Sequence, residues 1–150
     1  FQNQTSAHQI RQHLLKKCWG EYIVIQPEPE QQSVTVMHAP SVSCGLPCIY
    51  SRQGGAGFVA SDISLAINFG LYRRQIDWDY VAQFLSYPHL RTERTALADI
   101  SELLPGLLAH FGRNGISTES MWTPWDFVAP ANRHTEFDEA VNTVRDAVTA

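Results

Sequence analysis

Leu46-Pro47-Cys48-Ile49-Tyr50-Ser51-Arg52-Gln53-Gly54-Gly55-Ala56-Gly57-Phe58-Val59-Ala60-Ser61-Asp62-Ile63-Ser64-Leu65 is the stretch around which the rest of the chain arranges itself. Pro47 to Ser51 reads as a short apolar strand, Gly54 to Gly57 as a tight reversal, and Phe58-Val59-Ala60 as the returning strand. Ser61 or Asp62 then caps a helix whose Ile63, Leu65, Ala66 and Phe69 point into a core. A hairpin running straight into a capped helix means mixed α and β, and nothing narrower.

Upstream, Thr5 or Ser6 caps a first helix with Ile10, Leu14, Leu15 and Cys18 on one face, and Gly20 ends it. The β-branched run Tyr22 to Ile25 reads as a strand buried on both sides. Pro27-Glu28-Pro29-Glu30 is a surface turn, because prolines cannot donate to a ladder. Ser33 to Met37 alternates as the antiparallel return. Downstream, Asp77 caps a third helix with Trp78, Val81, Ala82, Phe84 and Leu85 as its buried stripe, and Pro88 stops it. Arg91 to Leu97 is a charged surface loop. Leu107 to Phe111 and Ile116 to Trp122 form a last hairpin around Gly112-Arg113-Asn114-Gly115, where Asn-Gly accepts the positive φ of a tight turn. Pro124 to Pro130 is an aromatic connector. Thr135 caps a final helix whose stripe is Phe137, Ala140, Val141, Val144, Ala147 and Val148. The sum is an antiparallel α+β fold.

The order of the motifs carries more than any one of them. Leu46-Pro47-Cys48-Ile49-Tyr50 is followed by Phe58-Val59-Ala60-Ser61-Asp62-Ile63. After these come Arg94-Thr95-Ala96-Leu97 with Ile100, then Glu102-Leu103-Leu104-Pro105-Gly106, and finally Trp122-Thr123-Pro124-Trp125-Asp126. Over residues 14 to 148 this series resembles the amino-terminal half of asparagine synthetase-like proteins, closest to the cyclases that close the macrolactam ring of lasso peptides. The resemblance implies the later part of a glutaminase-like helix-sheet-sheet-helix sandwich of the amino-terminal-nucleophile type. On that footing residues 1–130 are a partial, degenerate glutaminase-like domain, and 131–150 are the connector and first helix of a truncated synthetase domain. Phe1 in place of an initiator Met, and a helix pattern still running at Ala150, also read as a piece of a longer polypeptide.

Chemistry follows from what the motifs retain and lack. A glutaminase of this family attacks with an amino-terminal cysteine whose own amine is the base, and Phe1 cannot do this. The family holds glutamine with Arg-Asp-Pro-x-Gly after its second strand; here the matching residues are His38-Ala39-Pro40-Ser41, with extra residues before Gly45. Losing the guanidinium removes the bidentate clamp for a carboxylate. His38 is the histidine that falls where the resemblance puts a substrate-binding residue; otherwise it is a strand-end histidine, hydrogen-bonded or solvated. Gly54 to Gly57 lacks the Lys-Ser/Thr of a phosphate loop and reads as a turn. ATP and Mg therefore belong, by the resemblance, to a synthetase domain beyond Ala150. Asp77 and Asp79 read as helix-start charges rather than paired acids. Trp122, Trp125 and Phe127 read as packing across a domain boundary.

These features describe the amino-terminal scaffold or substrate-positioning part of an ATP-dependent amide ligase, catalytically silent by itself. The implied partners are the synthetase domain of the same chain and a precursor peptide. Two alternatives stand beside it: part of an asparagine synthetase using aspartate with glutamine or ammonia, and a stand-alone binding module of the same fold. Composition limits all three. A formal charge of −4 over 150 residues, with no basic cluster, argues against nucleic acid. No apolar run reaches the roughly 18 residues of a membrane span. Three cysteines are too few for a disulfide framework. Cys44 and Cys48 lack the second ligand pair that zinc needs, so ordinary thiols of a cytoplasmic protein are expected. An unpaired sheet edge makes a homodimer plausible.

Overall fold

The computed structural model describes residues 6–41, 45–53, 56–113, 115–128, 130, 133–134 and 136–149, with the backbone alone at 52, 53 and 56. Its elements are α1 (Ala7–Lys17), β1 (Ile23–Glu28), β2 (Ser33–His38), β3 (Ile49–Gln53), β4 (Ala56–Ala60), α2 (Ile63–Asn68), α3 (Trp78–Ser86), β5 (Ser101–Glu102), β6 (Leu107–Gly112), β7 (Gly115–Ser120) and α4 (Phe137–Thr149). All strand pairing within them is antiparallel, in two sheets ordered β1-β2-β6-β7 and β4-β3-β5. The mixed α+β class is as expected.

The two sheets bury a shared core. Val36 on β2 lies opposite Ala109 on β6, and both pack with Cys48, Tyr50 and Leu103 from the second sheet's side. Tyr50 meets Phe111 edge to face at 5.5 Å, a geometry worth about 1 kcal/mol beyond the area it buries. Side chains alternate across a strand, so Thr35 faces away from that core and meets α1. On the second sheet Ile49 and Phe58 turn outward to Ala66, Ile63 and Ile67 of α2, with Tyr72 and Ile100 completing a second cluster. Each sheet thus has a helix on the side away from the other sheet.

Several elements differ from the sequence expectation, and each difference has a packing cause. β1 is an edge strand, not one buried on both sides, and Ile25 is 58% exposed. Edge position also lets β1 continue through Pro27 and Glu28, opposite Val34 and Ser33, since the missing proline N–H costs nothing where no neighbour needs it. The turn is carried by a short 3-10 segment, Pro29–Gln31, closed by Gln32 at φ 50. β3 starts at Ile49 rather than Pro47. Gly57 belongs to β4 opposite Arg52, while Gly54 and Gly55 lie outside the described residues. Gly115 pairs with Gly112 inside the last hairpin rather than forming its turn, Asn114 lies outside the described residues, and β7 stops at Ser120.

The helices were placed correctly, and their faces only in part: Ile63 and Ala66 of α2 pack as expected. Ser6 caps α1 in a reciprocal capping box with Gln9. Yet the buried side chain of α1 is Arg11, while Cys18 lies beyond the helix and is exposed. Asp62 caps α2, but Leu65 and Phe69 are exposed and Ile67 packs instead. Asp77 caps α3, whose Trp78, Phe84 and Leu85 face solvent while Val81 is half-buried, with Trp78 at 69% exposure. Of the α4 stripe, Phe137, Val144 and Val148 are exposed while Ala140 and Val141 are half-buried, and its expected cap, Thr135, lies outside the described residues. Among the described residues no helix is long and apolar enough to cross a membrane.

Candidate functional site

His38 ends β2 and sits where the sheets converge. It shares a strand face with Val36, so its ring enters the inter-sheet core and is 2% exposed. Its Nδ1 lies 2.6 Å from the Leu103 carbonyl oxygen. A carbonyl only accepts, so Nδ1 carries the proton and Nε2 is the ring atom a ligand could use. His38's own carbonyl accepts from the Gly106 N–H at 3.0 Å. Leu103 meanwhile donates its N–H to the Cys48 carbonyl at 2.7 Å. One residue therefore joins the first sheet through its C=O and the second through its N–H.

The chain after β2 is held from below. Ala39 donates to the Tyr22 carbonyl at 3.0 Å. Oε1 of Glu21 accepts from Gly45 N–H at 2.7 Å and from the Ser41 hydroxyl at 3.2 Å. Residues 42–44, including Cys44, lie outside the described residues. The Tyr22 hydroxyl is buried with no hydrogen-bond partner among the described residues, and burial, then Cys18, raises its pKa. The segment that ends β2 thus presents an imidazole tied to main chain.

The other candidates fall elsewhere. Cys48 is fully buried, and burial, with Glu102 second, pushes its thiol up to about 11; a thiol so protonated is a poor nucleophile. Asp77 accepts from Tyr80 N–H at 3.0 Å and from Arg94 at 2.7 Å. That guanidinium, then the amide, holds the carboxyl below the usual range. Asp77 thus acts as a helix cap, with Asp79 in the first turn. Trp122 packs on Phe127 at 5.8 Å, while Trp125 is exposed. Among the described residues no group of three or more His, Cys, Asp or Glu is placed to hold a metal ion.

Two participants were missed from sequence. Glu21 grips the loop after β2, a role that only the folded position of Gly45 reveals. Arg11 is 8% exposed and donates to Gln26 at 3.0 Å, Thr35 at 3.2 Å and Glu28 at 3.3 Å. A signal for it did exist: Gln26, Glu28 and Thr35 put polar groups on one face of two neighbouring strands, which calls for a cationic cover. No family model matches the chain, and no curated protein matches it.

Proposed function

We propose that residues 1–130 are the later part of a degenerate glutaminase-like domain and that 131–150 lead into an ATP-dependent amide-ligase domain. The parent enzyme adenylates a carboxylate with ATP and Mg in that further domain, in the cytoplasm, and joins the carboxylate to an amine as lasso-peptide cyclases do. The present chain supplies scaffold and peptide-positioning surface and performs no hydrolysis itself. Support comes from one arrangement: the motif residues fall at the joints of two face-to-face antiparallel sheets. Tyr50 enters the shared core, Phe58 to Asp62 turn from β4 into α2, and Leu103 and Gly106 bond the end of β2. At the position of a carboxylate clamp stands His38, with Nδ1 committed to Leu103.

Incubation of the chain with glutamine is expected to release no glutamate above a no-protein control. Release that survives purification, and is lost on Cys48→Ser, would overturn the silent reading. Sequencing of the coding region beyond Ala150 is expected to show a Ser-Gly-Gly-x-Asp-Ser pyrophosphate loop, and a stop codon there would remove the ligase assignment.

A further inference from the structure

The outer face of the first sheet is covered unevenly. α1 lies over β1 and β2, where Arg11 reaches Gln26, Glu28 and Thr35. Toward β6 and β7 the same face opens into a recess of about 630 Å³, within the range of small-molecule sites, roughly 300–1,000 Å³. Its floor is bare because two glycines face each other: Gly112 pairs with Gly115 in the β6–β7 hairpin. A Cβ on Gly115 would meet nothing within 4 Å, and one on Gly112 only the Gly115 carbonyl oxygen at 4.0 Å. One rung along the hairpin, His110 stands opposite Ser117, and both line the recess. Glu119, a rung further, lies outside the lining and holds the His110 ring, with Oε1 at 3.2 Å from Nε2. Ser33 of β2 supplies the far wall, and its hydroxyl oxygen is buried with no hydrogen-bond partner among the described residues.

We propose that this recess binds a small molecule carrying an oxyanion, a carboxylate or a phosphate group. The chain has 15 acidic residues against 11 lysines and arginines, yet among the described residues no carboxylate lines the recess. Donors line it instead: the Arg113 guanidinium, the Ser33 and Ser117 hydroxyls and the Gln31 amide. A guanidinium presents five N–H donors, so it can grip an anion while keeping another contact. Carboxylate and phosphate are the groups it matches through two parallel bonds. Ser33 needs only a step between staggered χ1 wells to turn its orphaned hydroxyl into the recess, where an anion oxygen would accept from it. The glycine floor lets the rest of the ligand lie against the sheet backbone. The site stands apart from the amide-ligase assignment, since His38 and Leu103 meet between the sheets and the recess lies on the outer face.

The probes are inorganic phosphate and citrate, titrated separately into the isotope-labelled whole chain at constant ionic strength, with sodium chloride as the blank. At least one is expected to shift the amide resonances of Gly112, Gly115 and Ser117 saturably, where chloride does not. A response to phosphate alone would assign a phosphate ester, and a response to citrate alone a carboxylate. Arg113→Gln is expected to weaken binding about tenfold, the loss of one charge-assisted hydrogen bond. Gly112 has an ordinary strand backbone, which a β-branched residue adopts readily. Gly112→Val should therefore keep the circular dichroism of the native chain while filling the recess and abolishing binding. No saturable shift with either probe, or undiminished binding by Gly112→Val, would overturn the site. Binding that Arg113→Gln leaves unchanged would overturn the oxyanion as its ligand.

Discussion

Arg11 is the residue on which the first helix depends. Its guanidinium is almost wholly desolvated, and removing it strands the Glu28 carboxylate beneath α1. Breaking such a pair costs far more than replacing both members with apolar groups. Arg11→Ala is expected to lower unfolding free energy by about 3 kcal/mol in urea titration, and pairing Arg11→Leu with Glu28→Leu should recover most of that loss. Gly106 is as constrained by its backbone. It holds φ +82, and an added Cβ would lie 2.7 Å from the Trp122 carbonyl oxygen. Gly106→Ala should cost about 2 kcal/mol or more by the same measurement, since left-handed strain and a main-chain clash coincide. Cysteine accessibility gives a third check. Under native conditions iodoacetamide should modify the exposed Cys18 and spare Cys48, which is buried with its thiol pushed to about 11.

Among elements, α3 couples to pH through its cap. Arg94 and the Tyr80 amide stabilise ionised Asp77, so its folded pKa lies below the unfolded one. The contribution is in place above the ordinary aspartate range and is lost as pH falls through the lowered value. Thermal melts of the native chain and of Asp77→Asn should differ steadily from neutral pH downward, and converge only below about pH 4. A gap that closed nearer neutrality would point to a different group. The caps were legible because capping is local: Ser6, Asp62 and Asp77 each accept an N–H within three residues. Hairpin partners were legible for the same reason, as with β1 and β2. What periodicity could not supply was the destination of an apolar face. The stripes of α3 and α4 are real, but nothing within their own windows says whether a sheet waits opposite. The status of β1 was hidden likewise. Whether it has one neighbour or two rests on β6, far along the chain, pairing with β2. His38 was readable as a position and not as a contact, because Leu103, which holds its ring, lies 65 residues away.

At the scale of the whole molecule, two sheets and two small helices make the stable body, and α4 stands apart from it. Its buried set is empty and Phe137, Val144 and Val148 face outward. Ending the chain before Phe137 should therefore change the urea-derived stability by less than about 0.5 kcal/mol, within the range of ordinary surface changes. A larger loss would mean that the helix rests on the sheets in solution. The bond from Leu103 to both Cys48 and His38 bears, finally, on the order of events during synthesis. A ribosome extrudes both early hairpins long before it reaches the clasp that fastens one to the other. Until residue 103 clears the exit tunnel, Val36 and Tyr50 have no lock to keep them facing. Contacts of such long range are slow to form. Nascent chains halted just short of that point should therefore be the ones a protease, or a chaperone, finds open.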